Sequence, residues 1–441
     1  WLKLSMPSWG TVGTVVVVWH AFLYKLHLDH SFDSAGLDTS PVKSISGATG
    51  SLFKGNVVRH FVHSERRGEA LGKSQCGVSS TGSSAPHCKF WSVVTTIYEP
   101  SQSIWKQTAL PDWCTVIVGD KKTPTPYLAW RPEDQSRVVY LSPTDQEALE
   151  VTLPFISSVP WNHFGRKNIG YLFAIQHGAE VIWDFDDDNE LKDGAAAGFA
   201  APKEKVLARS PQLNGTVFNP YPSMGAQRFP FWPRGFPLLQ IKDNATADVA
   251  MNEVEIDSST IGVWQSLADN DPDVDAVLRM TQDLPMHFAT RDNRAVVLPK
   301  GVFSPYNAQA TMIMKRAFWG ALLPITVHGR VSDIWRGLSA QRLGWDIGIQ
   351  LAFLPPIVDQ FRNAHNYLAD MDSEADLYFK AEEFLSFLSA WSSNATSLPE
   401  RIEDLWIQMY ERTYVELKDV QLLQAWLDAL ICSGYEFPVP A

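Results

Sequence analysis

Arg166-Lys-Asn-Ile-Gly-Tyr171 opens a segment that continues through Leu172-Phe-Ala-Ile-Gln-His-Gly178 to Glu180-Val-Ile-Trp183 and then Asp184-Phe-Asp-Asp-Asp-Asn189. Ile169, Leu172, Phe173 and Ile175 fall on helical spacing, and Gly178 supplies a backbone free to close a helix, so Lys167 to Gly178 is predicted helical. The run Glu180–Trp183 is predicted to be a buried strand. It leads directly into three consecutive carboxylates, which places Asp186, Asp187 and Asp188 just beyond the strand's carboxyl end.

The same alternation extends outward. Phe90-Trp-Ser-Val-Val-Thr-Thr-Ile-Tyr98 and Trp113-Cys-Thr-Val-Ile-Val-Gly119 read as buried strands, with a short helix from Ser103 to Thr108 between them and a third strand at Arg137–Leu141. Strands alternating with helices predict an α/β fold, a mostly parallel sheet covered by helices on both faces. Ligands of such sheets sit beyond the carboxyl ends of the strands. Two polar loops fall at that edge: Asp120–Pro124 and the aspartate trio. The Pro- and Gly-rich stretch from Gly194 to Asp243 is expected to be irregular and to lie over the site. Gly262–Leu267, Ala295–Leu298 and Thr311–Met314 read as short strands, and Val358 to Ser433 as amphipathic helices.

Four regions follow: residues 1–28, 29–89, 90–350 and 351–441. The first contains an uncharged stretch of roughly 16 residues from Trp9 to Tyr24, shorter than the ~20 that span a bilayer. It reads as a truncated signal-anchor, with a buried strand as the competing reading. The second, rich in Ser, Gly and His without periodicity, reads as a flexible stem. The third is the sheet domain and the fourth a helical C-terminal region.

Composition narrows the function classes. With 45% apolar and 20% charged residues the chain is globular, and a net charge of −12 without a basic block excludes nucleic acid as a natural partner. Cys76, Cys88, Cys114 and Cys432 follow no zinc spacing. Cys76 and Cys88 bracket a Ser/Gly-rich loop and are placed to pair in an oxidising compartment, with four unlinked thiols as the alternative. Asn214-Gly-Thr216, Asn244-Ala-Thr246 and Asn394-Ala-Thr396 are glycosylation sequons that point together toward a secretory lumen.

The trio carries the chemistry. Adjacent carboxylates repel, so three of them at the end of a buried strand call for a cation or for neighbouring donors. Asp-x-Asp spacing lets Asp186 and Asp188 share one Mn²⁺ or Mg²⁺ and leaves room for diphosphate oxygens. A solvated acidic turn is the competing reading. A calcium loop starting at Asp184 fails, because its sixth position is Asn189 rather than Gly and its twelfth is Ala195 rather than Glu. Arg166 and Asn168, at the mouth of the helix, are candidates to hold a nucleotide or its phosphates, against a plain helix-entry role.

Arg-Lys-Asn-x-Gly-Tyr, a helix, then Ile-x-x-x-Asp-Asp-Asp-Asn resembles the STELLO-type family of plant Golgi glycosyltransferase-like proteins. Val116-Ile-Val-Gly-Asp-Lys-Lys-Thr-Pro124, Ser304-Pro-Tyr-Asn-Ala-Gln309 and Gly329-Arg-Val-Ser-Asp-Ile-Trp-Arg-Gly337 resemble it too, in family order, over roughly residues 90–350. The family is similar in style to exostosin-like transferases of the GT-A fold, whose Asp-x-Asp element binds Mn²⁺ and a UDP-sugar.

The resemblance implies a set of roles. Asp188 would be the direct metal ligand, with Asp186 toward the sugar or ribose and Asp187 assisting. Arg166 and Asn168 would contact the nucleotide, Thr95, Thr96 and Tyr98 would line the base pocket, and Asp120 and Lys121 would meet the nucleotide from the second loop. Asp333 would be the catalytic carboxylate near the reacting sugar carbon, against a helix N-cap as the competing reading. Asn307, Gln309, Arg330 and Arg336 would face the acceptor. The implied partners are a UDP- or GDP-sugar donor and a glycan or glycoprotein acceptor. The implied location is the Golgi lumen, on a single-pass type II chain. Because the plant proteins are tied to cellulose synthase assembly, a scaffold for glycan-synthase complexes is the alternative function.

Overall fold

Alternate side chains along the first strands enter opposite cores, and this two-sided burial organises the molecule. Trp91 and Val93 of β1 (Phe90–Thr96), Val116 and Val118 of β2 (Trp113–Gly119) and Ile182 of β4 (Val181–Asp184) pack into one core. Val94, Ile117 and Trp183 of the same strands pack into the other. Such strands must be covered on both faces, as the near-continuous apolar runs required. The computed structural model describes residue 59 and residues 85–194, 204–242, 249–289, 292–362 and 365–440, all within one compact unit. The anchor expected over 1–28 and most of the stem expected over 29–89 lie outside the described residues. Among the described residues no helix is long and apolar enough to cross a membrane.

The sheet has eleven strands. Ten follow the order β3-β2-β1-β4-β10-β8-β11-β9-β6-β7, and β5 (Asn189–Leu191) pairs with β11. β3 (Val138–Leu141), β2, β1 and β4 are mutually parallel. β10 (Thr311–Met314) runs antiparallel to both β4 and β8 (Ile261–Asn270), and β11 (Gln350–Gln360) is parallel to β8. It follows that β1, β2, β4, β8 and β11 all point their carboxyl ends toward one edge. This is the expected α/β architecture, a parallel core flanked by helices.

Helix α1 (Gln102–Thr108) sends Ile104 into one core. Beyond it α2 (Pro143–Leu149), not foreseen, starts on a capping box in which Ser142 and Asp145 exchange hydrogen bonds. Helix α3 (Lys167–Gln176) buries every residue from Lys167 to Ile175 and ends at Gly178, whose φ of +86° is the left-handed conformation glycine adopts at no steric cost. Then come α4 (Ala276–Thr281), α5 (Gly329–Gly344), α6 (Tyr367–Ser373), α7 (Ala375–Ala390), α8 (Leu398–Glu411) and α9 (Leu417–Cys432). Side chains of α5, α7, α8 and α9 share the first core with α3, so the C-terminal helices are packed on the sheet.

Three expectations need correction. The stretch Gly194–Asp243 is not uniformly irregular: β6 (Lys205–Pro211) pairs with β7 (Met251–Asp257) and touches β9 (Val296–Val297), at an end of the sheet where the partly exposed strands lack a continuous apolar run. The helical region does not start at 351. β11 runs to Gln360, with a register shift between Leu354 and Val358 where Pro355 and Pro356 interrupt the ladder, and α6 begins only at Tyr367. Cys88 pairs with Cys114 rather than with Cys76. The neighbouring parallel strands β1 and β2 bring their Cα atoms to 6.1 Å, a proximity invisible in the spacing. Cys76 itself lies outside the described residues.

Gly170 sets how closely α3 approaches the sheet. A Cβ there would sit 2.6 Å from Val93 Cγ1 and 2.9 Å from Val118 Cγ2. Replacing Gly170 with Val is expected to cost about 1–3 kcal/mol or more through overpacking. Urea unfolding should show this as a lower midpoint at unchanged slope.

Candidate functional site

The trio leaves β4 into a tight turn. Asn189 Oδ1 accepts from Asp186 N at 3.2 Å, and Asn189 N donates to Asp186 O at 3.0 Å, which closes the turn and explains the Asn after the three acids. Behind the turn lies the side chain that tolerates the charge. Lys167 Nζ, fully buried, sits 2.6 Å from Asp184 Oδ1 and 2.7 Å from Asp186 Oδ1, and donates to Ala308 O at 2.6 Å. Burial works against its ammonium, but Asp184 and Asp186 overcome this and hold its pKa above the usual lysine value. Deeper still, Tyr171 Oη donates to Asp184 Oδ2 at 2.6 Å, and Arg336 Nη1 lies 3.7 Å from the same oxygen.

The outer two acids are differently placed. Thr96 donates its hydroxyl to Asp187. Asp188 Oδ1 is buried without a hydrogen-bond partner. Burial pushes the Asp187 and Asp188 carboxyls up to about 6, with Asp186 adding to the shift at Asp188. An orphaned buried carboxylate oxygen beside a second carboxylate is a fitting place for a divalent cation. No group of three or more His, Cys, Asp or Glu among the described residues could hold a metal ion by itself. A cation held here would need further ligands such as water or phosphate oxygens.

These acids form one wall of a cleft of about 470 Å³ at the carboxyl edge of the sheet. Thr95, Thr96, Tyr98, Asp120, Asp186, Asp187, Asp188, Gln309, Arg330 and Asp333 all line it, so the cleft collects most of the candidate residues. Tyr98 is the exposed one, at 54%. Asp120 is buried, and its carboxylate accepts from the backbone N–H groups of Lys121, Asn162 and His163 at 2.6, 2.8 and 3.3 Å. It therefore shapes the rim of the cleft at residues 162–163.

Five candidates are not brought to the cleft. Arg166 is buried, bonded to Gln146 Oε1 and to Val159 O, with its guanidinium 3.4 Å from the Trp161 ring centroid. Asn168 exchanges two hydrogen bonds with the backbone of Leu323. Arg336 bonds Asn307 O at 2.8 Å beneath the sheet edge. Asn307 donates to Asp273 at 2.9 Å. Lys121 points outward to Glu147, 3.8 Å away, and to Trp161. A helix buried all round gives no sequence cue to which of its polar residues face a ligand.

Asp333 does reach the cleft but is not a free carboxylate. It lies in the second turn of α5, whose N-cap is His328, so the N-cap reading fails. Arg234 donates to both Asp333 oxygens at 2.9 and 2.8 Å, and the backbone N–H groups of Ile334 and Ala308 add 3.0 and 3.2 Å bonds. Both of its oxygens are therefore engaged.

Arg234 also grips Asp273 through Nε and Nη2, both at 2.9 Å, and Arg362 lies 3.4 Å from Asp273 on its other side. Burial opposes ionisation of Asp273, but Arg234 and Arg362 hold its pKa well below the usual range. Arg330 is fixed in turn by Glu374, a buried residue of the α6–α7 junction. Sequence reading missed Arg234, Asp273 and Arg362. Arg234 sits in Pro233-Arg-Gly235, within the Pro-rich stretch expected to lie over the site, and that position was the available signal.

Comparison with known proteins adds two findings. A family profile described as "STELLO glycosyltransferases" matches residues 330–440. Two relatives from Arabidopsis thaliana, "Probable glycosyltransferase STELLO2" and "Probable glycosyltransferase STELLO1", are 32% and 31% identical over 375 residues, 80% of this chain. The alignment covers 46% of each relative, so the chain spans about half the length of the curated proteins it matches.

Removing the buried cation tests the site's electrostatic floor. Lys167→Met is expected to destabilise the fold by about 3–5 kcal/mol, because Asp184 and Asp186 lose their shared partner. Adding Asp184→Asn in the same chain should recover part of the loss in chemical denaturation.

Proposed function

We propose that the chain belongs to the STELLO family and is a glycosyltransferase drawing on a nucleotide-sugar donor. The observation that carries the reading is the unpartnered, buried Asp188 Oδ1 beside Asp186 at the carboxyl edge of the sheet. Asp188 and Asp186 would hold Mn²⁺ or Mg²⁺, which when bound would offset the charge of a departing nucleoside diphosphate. Lys167 holds the Asp186 carboxylate in place. Tyr98, exposed on the rim with Thr95 and Thr96 behind it, offers a face for the base of a UDP- or GDP-sugar. Arg330, Arg362 and the Arg234–Asp333 pair, which also line the cleft, would receive a glycan or glycoprotein acceptor. Asp333 there acts as a positioning group for Arg234 rather than as the base. The Cys88–Cys114 disulfide supports an oxidising lumen, and the reading places the chain in the Golgi as a single-pass type II protein.

One set of contacts favours a second reading, that of an assembly factor for glycan-synthase complexes with little transferase activity. Asp186, Asp187 and Asp333 already have internal donors, so the fold tolerates these acids without a substrate.

Asp188→Asn separates the two. Under the transferase reading, the Mn²⁺-dependent thermal shift with a UDP- or GDP-sugar disappears while the ligand-free melting temperature is kept or raised. A Mn²⁺-dependent shift that survives Asp188→Asn rules out this cation site, and no shift with any nucleotide sugar in the parent chain leaves the assembly reading.

The pH dependence has a defined sign. The Asp187 and Asp188 carboxyls are raised from 3.8 to about 6, so their protonated forms favour the fold. That stabilisation is full below 3.8 and is lost as pH rises through about 6, unless a cation replaces the proton. Titration calorimetry should therefore show Mn²⁺ binding weakening as pH drops from the neutral range through about 6.

A further inference from the structure

We infer that Asn214 and Asn394 carry N-linked glycans, which makes this chain a glycoprotein with two modified loops remote from its cleft. The inference shares the lumenal residence of the function proposed above but rests on other residues.

Each asparagine is held outward by anchors on both sides. Before Asn214, Gln212 N donates to Ala250 O at 2.8 Å, and after it Val217 bridges to Phe303. Asn214, Gly215 and Thr216 between these points are all exposed, and a Cβ at Gly215 would meet only Leu213, at 3.8 Å. Asn394 lies between the end of α7 and Ser397, the N-cap of α8. Ala395 N donates to Ser393 Oγ at 3.3 Å, and Ala395 O accepts from Arg401 Nε at 2.8 Å, so the backbone is pinned while Asn394 and Thr396 stay exposed.

Three features coincide at both loops. The Asn and the Thr two residues on, which together define the acceptor triplet, are both exposed, so a glycan attached during synthesis would not have to be buried as the chain folds. The loops lie outside regular secondary structure, where a branched polymer is accommodated. Neither loop lines the cleft. The disulfide between Cys88 and Cys114 belongs to the same oxidising compartment in which such glycans are added.

The modifying step uses a lipid-diphosphate-linked oligosaccharide as co-reactant. A bond forms between the Asn carboxamide nitrogen and sugar C1 as the bond from C1 to the diphosphate oxygen breaks. The electron pair leaves with the lipid diphosphate, and the carboxamide gives up one proton.

The test uses the whole 441-residue chain expressed behind a cleavable secretion leader in a eukaryotic host. Gel mobility is read before and after amidase removal of N-glycans, and peptides are sequenced by mass spectrometry in heavy-oxygen water. Asn214→Gln and Asn394→Gln should each remove one mobility step, the double variant two, and both parent asparagines should appear as heavy-oxygen aspartate after deglycosylation. Unmodified Asn214 and Asn394 in the secreted chain overturn the inference, as does a step that responds only to Asn244→Gln, a position outside the described residues. Donor binding on the same preparation keeps the two proposals apart. Glycans without a nucleotide-sugar response sink the transferase reading alone, and a response from a chain unmodified at both loops sinks this one alone.

Discussion

A buried ammonium shared by two carboxylates is the contact on which the site depends. Lys167 Nζ joins α3 to Asp184 at the end of β4, to Asp186 in the turn beyond it and to Ala308 before β10. Three segments far apart in sequence thereby meet at one nitrogen. Inside a low-dielectric core such a group is tolerated only when its partners are also inside and well oriented. Asp184 faces Lys167, Tyr171 and Arg336, whereas at Asp188 the buried Oδ1 has no hydrogen-bond partner. The contrast runs outward along a few residues of chain and ends at the cleft.

A second part of the cleft lining is built on the same logic. Arg234 is the buried cation, and Asp273 and Asp333 are its two partners. Arg362 and Arg330 continue the alternation toward Asp271 and Glu374. Because a planar guanidinium fork fits two carboxylates at once, one arginine fixes the Pro233–Gly235 turn, the loop after β8 and the start of α5 in a single arrangement. A ligand entering the cleft meets preset geometry in both parts, which lowers the ordering cost of binding.

How far the sequence could be read depended on which physical signal each residue left. β1, β2, β4 and α3 were legible because their apolar periodicity is strong, and the trio was legible because a strand running into three acids is electrostatically conspicuous. Thr96 and Asp120 followed from the rule that carboxyl ends of strands make sites. Arg166, Asn168 and Arg336 do not line the cleft. Each sits on an element buried on all sides, where a polar side chain serves Gln146, Leu323 or Asn307 as readily as a ligand. Lys167 was passed over beside Arg166 for the same reason. Arg234 and Arg362 lie in irregular chain, which has no period to say where a side chain points.

The sequence by itself determined the layered α/β plan, the edge of the sheet at which the cleft opens, and the need for positive charge near Asp186–Asp188, because periodicity and charge repulsion are local properties. Tertiary structure alone decided which positive charge answered that need. Lys167 neutralises the inner acids, Arg234 claims Asp333, Cys88 finds Cys114, and Asp188 Oδ1 is left without a hydrogen bond. Those outcomes depend on distances between segments tens to hundreds of residues apart, which are set only when helices and strands pack against a common core.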